Sequence, residues 1–289
     1  MTITANTGTY LPIQDGRFFG IDISSYQDPI DFAKMSQAHK YGFPPIRFIA
    51  CRTGISWGYK DKFFGLYWQA AKDFLPVPRF AYHVLYPDQD ISRQMDNVIG
   101  CFPGGKFDGD AFVNDLELHR DCSPAKISAA AMAFTERLKE WCKKPVFIYS
   151  RHYFVKDYMD YKSTVYANWL KEQKWWMAWY TGTNPPTEMK PGAFPFAYIE
   201  PRLPAYIEAL PVLIHQTGEK GDGRKIGTTS AQVDTNRWLG TEAEFKQLWG
   251  VQEDTEYPTP QPQPVPIDIS AELAAIREAT NRIEEKVNT

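Results

Sequence analysis

Apolar residues along this chain gather in short runs separated by longer mixed segments. Eight runs have strand character, at 18–24, 46–52, 79–86, 111–118, 145–150, 175–180, 212–217 and 232–236. Short apolar stretches rich in β-branched and aromatic residues read as strands. Helical patterns follow the early runs. Asp28-Pro29 offers an N-cap and a first-turn proline for a helix reaching about Tyr41, and Ser123-Pro124 does the same for a long helix ending near Lys144. The segment 181–211 is rich in proline and glycine and predicts no long helix. Strands alternating with helices imply parallel βα units. The expected fold is therefore α/β: an irregular, TIM-like (β/α) barrel with a helix-poor second half. A doubly wound open sheet is the alternative, but no G-x-G-x-x-G or Walker-type loop follows any strand.

The pattern changes near residue 250. Tyr257 to Pro266 carries a proline at every second position, which enforces an extended, semi-rigid linker. Beyond it Ile269, Leu273, Ile276, Thr280, Ile283 and Val287 step by four and three, a heptad stripe. The expected organisation is a polar arm at 1–15, a barrel domain at 16–250, a linker at 251–268 and an amphipathic helix at 269–289. That helix either self-associates into a homo-oligomer, docks on a larger particle, or stands as a lone frayed tail.

Composition narrows the class. Of 289 residues 43% are hydrophobic and 23% charged, which suits a globular core. The formal net charge is −3, which disfavours a nucleic-acid binder, and the apolar runs are too short to span a membrane. The N-terminus lacks a basic and an apolar signal region, so residence in the producing cell's cytoplasm until release is expected. Cys51, Cys101, Cys122 and Cys142 form no C-x-x-C pair and read as free thiols. No cofactor or metal is implied.

The chemistry lies late in the strands. Asp22, His83, Asp115 with Glu117, Gln216 and Asp234 each interrupt the later part of an apolar run. A carboxylate there is costly unless it is paired, hydrogen-bonded or at a solvated mouth. In a parallel barrel all C-terminal strand ends share one face, where active sites sit. Four carboxylates from three distant segments are thus expected to converge. Asp115-Leu116-Glu117 is the sharpest element: residues i and i+2 on a strand share a face, with Cα atoms roughly 6.5 Å apart. Two carboxylates that close should not both ionise easily, which leaves a proton donor beside an anion. Glycoside hydrolysis needs that division of labour.

These segments together resemble the glycoside hydrolase family 25 muramidases, lysozymes common among bacteriophage endolysins. The resemblance rests on Gly-Ile-Asp-Ile-Ser-Ser-Tyr-Gln at 20–27, Ile-Asp-Phe at 30–32, Ile-Arg-Phe-Ile-Ala-Cys-Arg-Thr-Gly at 46–54, Ala-Tyr-His at 81–83, Val-Asn-Asp-Leu-Glu at 113–117, Phe-Ile-Tyr-Ser at 147–150, Trp-Met-Ala-Trp-Tyr at 176–180, His-Gln at 215–216 and Gln-Val-Asp-Thr-Asn at 232–236. It implies cleavage of the β-1,4 bond between N-acetylmuramic acid and N-acetylglucosamine in bacterial peptidoglycan, without a cofactor. Glu117 would be the general acid and later the base, and Asp115 would support the reaction centre. Asp22 and Asp234 would line the pocket. Tyr149 would sit by the acetamido-bearing sugar, with Tyr82, Trp176, Tyr180 and Gln216 along the groove. His83 reads equally as a structural histidine. Tyr26 stands where the family often has His, His215-Gln216-Thr217 replaces Trp-Gln-Tyr, Val84 stands where an aromatic is common, and Trp179 replaces a smaller polar residue. Placing Asp115 and Glu117 on one strand leads to an expectation of retained anomeric configuration. A chitinase-like barrel and a non-catalytic wall-binding module are the alternatives.

Overall fold

A computed structural model describes residues 10–12, 18–180, 197–199 and 210–249. The arm at 1–15 (apart from 10–12), the linker at 251–268 and the heptad helix at 269–289 lie outside the described residues. The strands in chain order are β1 (Tyr10–Pro12), β2 (Phe19–Ile23), β3 (Ile46–Ile55), β4 (Tyr59–Lys60), β5 (Arg79–Val84), β6 (Ala111–Asp115), β7 (Val146–Arg151), β8 (Lys174–Ala178), β9 (Ala197–Ile199), β10 (Val212–Asp222) and β11 (Gln232–Trp238). The helices are α1 (Phe32–Met35), α2 (Phe64–Phe74), α3 (Ile91–Ile99), α4 (Pro124–Cys142), α5 (His152–Tyr158), α6 (Thr164–Glu172) and α7 (Glu242–Trp249).

All eight expected strands form. They hydrogen-bond in the order β2-β11-β10-β8-β7-β6-β5-β3, and β3 pairs again with β2 to close a barrel. β4 extends the edge of β3, and β1 pairs with β9 in a small sheet of its own. The all-parallel expectation fails at one strand: β11 runs antiparallel to both β10 and β2. A short hairpin-like return from β10, through a 3-10 turn at Gly223–Ile226, imposes that direction.

Closure follows from the two-residue alternation of side chains. Phe48, Ala50, Phe80, Ala111, Val113, Phe147, Trp176 and Ile214 form one buried cluster. Their sequence neighbours Ile49, Ala81, Phe112, Ile148 and Trp175 belong to a second cluster together with residues of the helices. Phe48 on β3 meets Trp176 on β8 at 6.1 Å, and Phe80 on β5 stacks on Phe147 on β7 at 5.9 Å. These strands are not neighbours, so the contacts cross the barrel interior. Gly20 on β2 permits this packing, because a Cβ there would lie 2.3 Å from the Phe48 ring. α7 seals the end where these aromatics lie: Phe245 packs on Phe18 at 4.7 Å, and Trp249 on Phe80 at 4.8 Å. The opposite end, where the parallel strands finish, is left polar.

Helix caps agree with the sequence in one case and not in another. Ser123 caps α4 by accepting from the Lys126 N–H at 3.3 Å. Asp28 is not an N-cap; it has φ of 54° and caps the C-terminal end of the 3-10 turn Ser25–Gln27 through its own N–H. Asp31 takes the role instead, accepting from the Lys34 N–H at 2.9 Å, and α1 lasts four residues. Among the described residues no helix is long and apolar enough to cross a membrane.

Candidate active site

A pocket of about 430 Å³ opens at the polar mouth, lined by Asp22, Asp115, Glu117 and Asp234 among others. Each carboxylate is carried there by strand phase. Asp115 follows Ala111 and Val113 along the inward face of β6, and Leu116 turns outward into the core behind it. The strand ends at Asp115, but the Leu116 N–H still donates to Tyr149 O at 2.9 Å, so Glu117 follows on an extended backbone. Asp22 lies near the end of β2. Asp234 lies near the start of β11, directly opposite Asp22 in the antiparallel register. The sequence reading put Asp234 late in a parallel strand; the reversed direction of β11 brings it to the same mouth from its first half.

A chain of hydrogen bonds fixes the floor. Trp176 Nε1 donates to Asn236 Oδ1 at 2.9 Å, and Asn236 Nδ2 donates to Asp22 Oδ2 at 2.8 Å. Gln216 Nε2 donates to the same Asp22 oxygen at 3.1 Å. Gln216 Oε1 accepts from Tyr149 at 2.8 Å and from Tyr180 at 2.7 Å. Tyr82, Tyr149, Trp176 and Gln216 thus line the pocket, while Tyr180 stands one hydrogen bond behind it, bound to Gln216.

Burial sets the charge pattern. Asp115 is 5% exposed; desolvation first, then the charges of Glu117 and Asp22, push its carboxyl well above the usual range. Its Oδ1 finds no hydrogen-bond partner among the described residues. Asp234 is likewise raised, first by burial and then by the Asp22 charge. Asp22 rises through burial, but hydrogen bonds from Asn236, Gln216 and Asp234 hold it back. Asp22 and Asp234 face each other closely enough that like charge opposes ionisation of both, so the two titrate as a pair. Glu117 is the accessible member of the set: its side chain is 26% exposed, and Oε2 lies 3.2 Å from Arg151 Nε.

His83 stays out of the pocket. It is fully buried, shares a hydrogen bond of 2.9 Å with Thr53 Oγ1, and lies 2.8 Å from Ser56 O. Burial lowers its pKa to about 4, so it is a neutral, structural imidazole.

Several pocket residues were not singled out from sequence. Arg52 ends the apolar part of β3 and is tied to buried Asp61 at 3.0 Å. Arg151 does not line the pocket but pairs with Glu117 beside it, and it sits two residues past Tyr149 on β7, a position that strand phase alone marks. Glu219 reaches the wall because β10 runs five residues beyond the expected end at 217. Tyr26 and Gln27, which the sequence marks only as part of the family motif and not as pocket residues, come from the turn after β2 and line the pocket. Among the described residues no group of three or more His, Cys, Asp or Glu side chains is placed to hold a metal ion.

A closed barrel whose C-terminal mouth gathers four carboxylates around one pocket defines a carboxylate-based glycoside hydrolase. The chain belongs to the glycosyl hydrolases family 25, whose family model matches residues 21–198. Its fold is similar to that of a family 25 glycosyl hydrolase from Bacillus anthracis, with a TM-score of 0.61, 17% identity, and coverage of 84% of this chain and 99% of that one. A bacterial lysozyme from Streptomyces coelicolor matches with a TM-score of 0.58 at 19% identity, covering 80% and 96%. The catalytic domain of endolysin ply40 from bacteriophage P40 of Listeria monocytogenes matches with a TM-score of 0.56 at 15% identity, covering 81% and 98%. No curated protein matches by sequence.

Proposed function

We propose that the chain is a muramidase that hydrolyses the β-1,4 bond between N-acetylmuramic acid and N-acetylglucosamine in bacterial peptidoglycan, with net retention. The observation that carries this reading is the pairing of buried Asp115 with accessible Glu117 at one strand end, two carboxyl groups too close for both to ionise easily. Family membership and the lysozymes among its structural relatives support it.

Glu117 is the carboxyl group that reaches the open groove. Carrying the one proton that the Asp115–Glu117 pair retains, it gives that proton to the leaving glycosidic oxygen, then takes one from the water that completes hydrolysis. Asp115 lies beneath it, and its unpartnered Oδ1 is free to accept the N–H of the sugar's acetamido group. That contact turns the acetamido oxygen toward the anomeric carbon. Both carboxyl groups come from one strand end, which leaves little space for a separately activated water on the opposite face of the ring. Asp22 and Asp234, locked to each other and to the amides of Gln216 and Asn236, present a fixed acidic wall to the sugar hydroxyls.

The test is NMR of the first product released from purified glycan strands. The expected product has a new reducing-end N-acetylmuramic acid that appears first as the β-anomer. A reducing-end N-acetylglucosamine would move the cut to the other bond, and a first-formed α-anomer would mean inversion.

A further inference from the structure

Tyr26 is the most exposed large hydrophobic side chain among the described residues, at 78%, yet it borders the pocket. The turn that carries it is pinned on every side. Ser24 Oγ accepts from the Tyr26 N–H at 3.2 Å, and Gln27 Oε1 accepts from the Ser24 N–H at 2.7 Å, a reciprocal capping box. Gln27 Nε2 donates to Gln232 O at 3.2 Å, and Gln27 O accepts from the Thr229 and Ser230 N–H groups at 3.1 and 3.2 Å.

The ring itself rests on the Arg52 guanidinium, 5.3 Å from its centroid, and Tyr59 lies 5.8 Å from the same guanidinium. Arg52 cannot swing away, because Asp61 and Ser25 Oγ hold it at 3.0 and 3.1 Å. Tyr59 OH closes the unit on Ser25 Oγ at 3.1 Å. The turn beneath the ring is thus fixed, and the ring lies against a fixed guanidinium without being buried. A ligand would meet a platform whose backbone is already ordered.

Barrel order locates the platform. β2 and β7 are four strands apart in the closed ring of eight, so Tyr26 and the Arg151 end of β7 face each other across the mouth, with Glu117, just past the end of β6, beside Arg151. A polymer longer than the pocket crosses its rim, and Tyr26 stands on that rim.

We propose that Tyr26, resting on Arg52, is a stacking platform for a hexosamine ring of the glycan strand at the rim of the cleavage pocket. This rests on the glycan-hydrolase reading above. The apolar C–H face of a pyranose matches an open aromatic face, whereas Arg52, neutralised by Asp61, is not available to capture an anion.

The experiment compares wild type, Tyr26→Ala and Tyr26→Phe on peptide-free peptidoglycan strands, long and short, by reducing-sugar release. With an aromatic contact of this kind, Tyr26→Ala should raise KM for long strands by about 2–10-fold, the loss falling on KM rather than kcat. Short oligosaccharides that do not reach the β2 rim should show a smaller rise than long strands, and Tyr26→Phe should behave as wild type. Because the side chain is exposed, melting temperatures should be equal across the three proteins. Unchanged KM in Tyr26→Ala on long strands, or a loss in Tyr26→Phe equal to that in Tyr26→Ala, would overturn the platform. If wild type itself releases no sugar, it is the hydrolase reading that fails.

Discussion

Asp115 is a residue that destabilises the fold it belongs to. Its carboxyl has an ordinary value of 3.8, and burial raises it in the folded chain. Below that value the group is protonated in both states and costs nothing by linkage. As pH rises above it, the unfolded chain releases the proton while the folded chain retains it, so stability falls until the raised folded pKa is reached. Each pH unit in that window costs up to about 1.4 kcal/mol. Asp115→Asn should therefore raise the melting temperature relative to wild type more at pH 8 than at pH 4. Equal shifts at both values, measured by thermal denaturation, would contradict the linkage. Asp115 and Glu117 were legible in the sequence because acidic residues inside apolar runs demand a reason. Arg52 and Arg151 obey the same strand phase but were passed over, since a basic residue at a strand end reads as solvated. Their partners Asp61 and Glu117 come from other segments, and only the folded chain brings them together.

At the scale of elements, apolar run length and turn chemistry made the eight strands and α4 readable. Strand direction was not encoded in that pattern: β11 has the same alternation whichever way it runs, and only its pairing with β10 and β2 settles it. The overrun of β10 was hidden for a related reason. Gly218 to Asp222 looks like a turn, yet it continues as strand with register shifts at Gly218 and Gly221. Asp28-Pro29 misled because the sequence carries a second capping candidate, Asp31, three residues on, and the bridge from Ile30 to Thr228 keeps the first out of helical geometry. β2 offers a direct test of interior packing. Gly20→Val forces its side chain into Phe48, and overpacking of this kind costs about 1–3 kcal/mol or more. The midpoint of urea unfolding should fall accordingly, and an unchanged midpoint would mean that the ring is not held where it lies.

The whole molecule divides its barrel into two halves of opposite character. One end is plugged by Phe48, Phe80, Phe147 and Trp176 and sealed by α7; the other holds acidic and phenolic groups linked through Gln216 and Asn236. The rigid apolar half fixes the strands, and the strands fix where each carboxyl points. This division explains why most of the site was readable: Asp22, Asp115 and Glu117 need only the phase of parallel strands, whereas Asp234 also needs the reversed direction of β11. The central claim is that Glu117 performs the acid–base step. Mass spectrometry of purified peptidoglycan digested by wild type and by Glu117→Gln tests it most directly. Wild type should release muropeptides ending in N-acetylmuramic acid, and a folded Glu117→Gln should release essentially none; undiminished release by that variant would contradict the account.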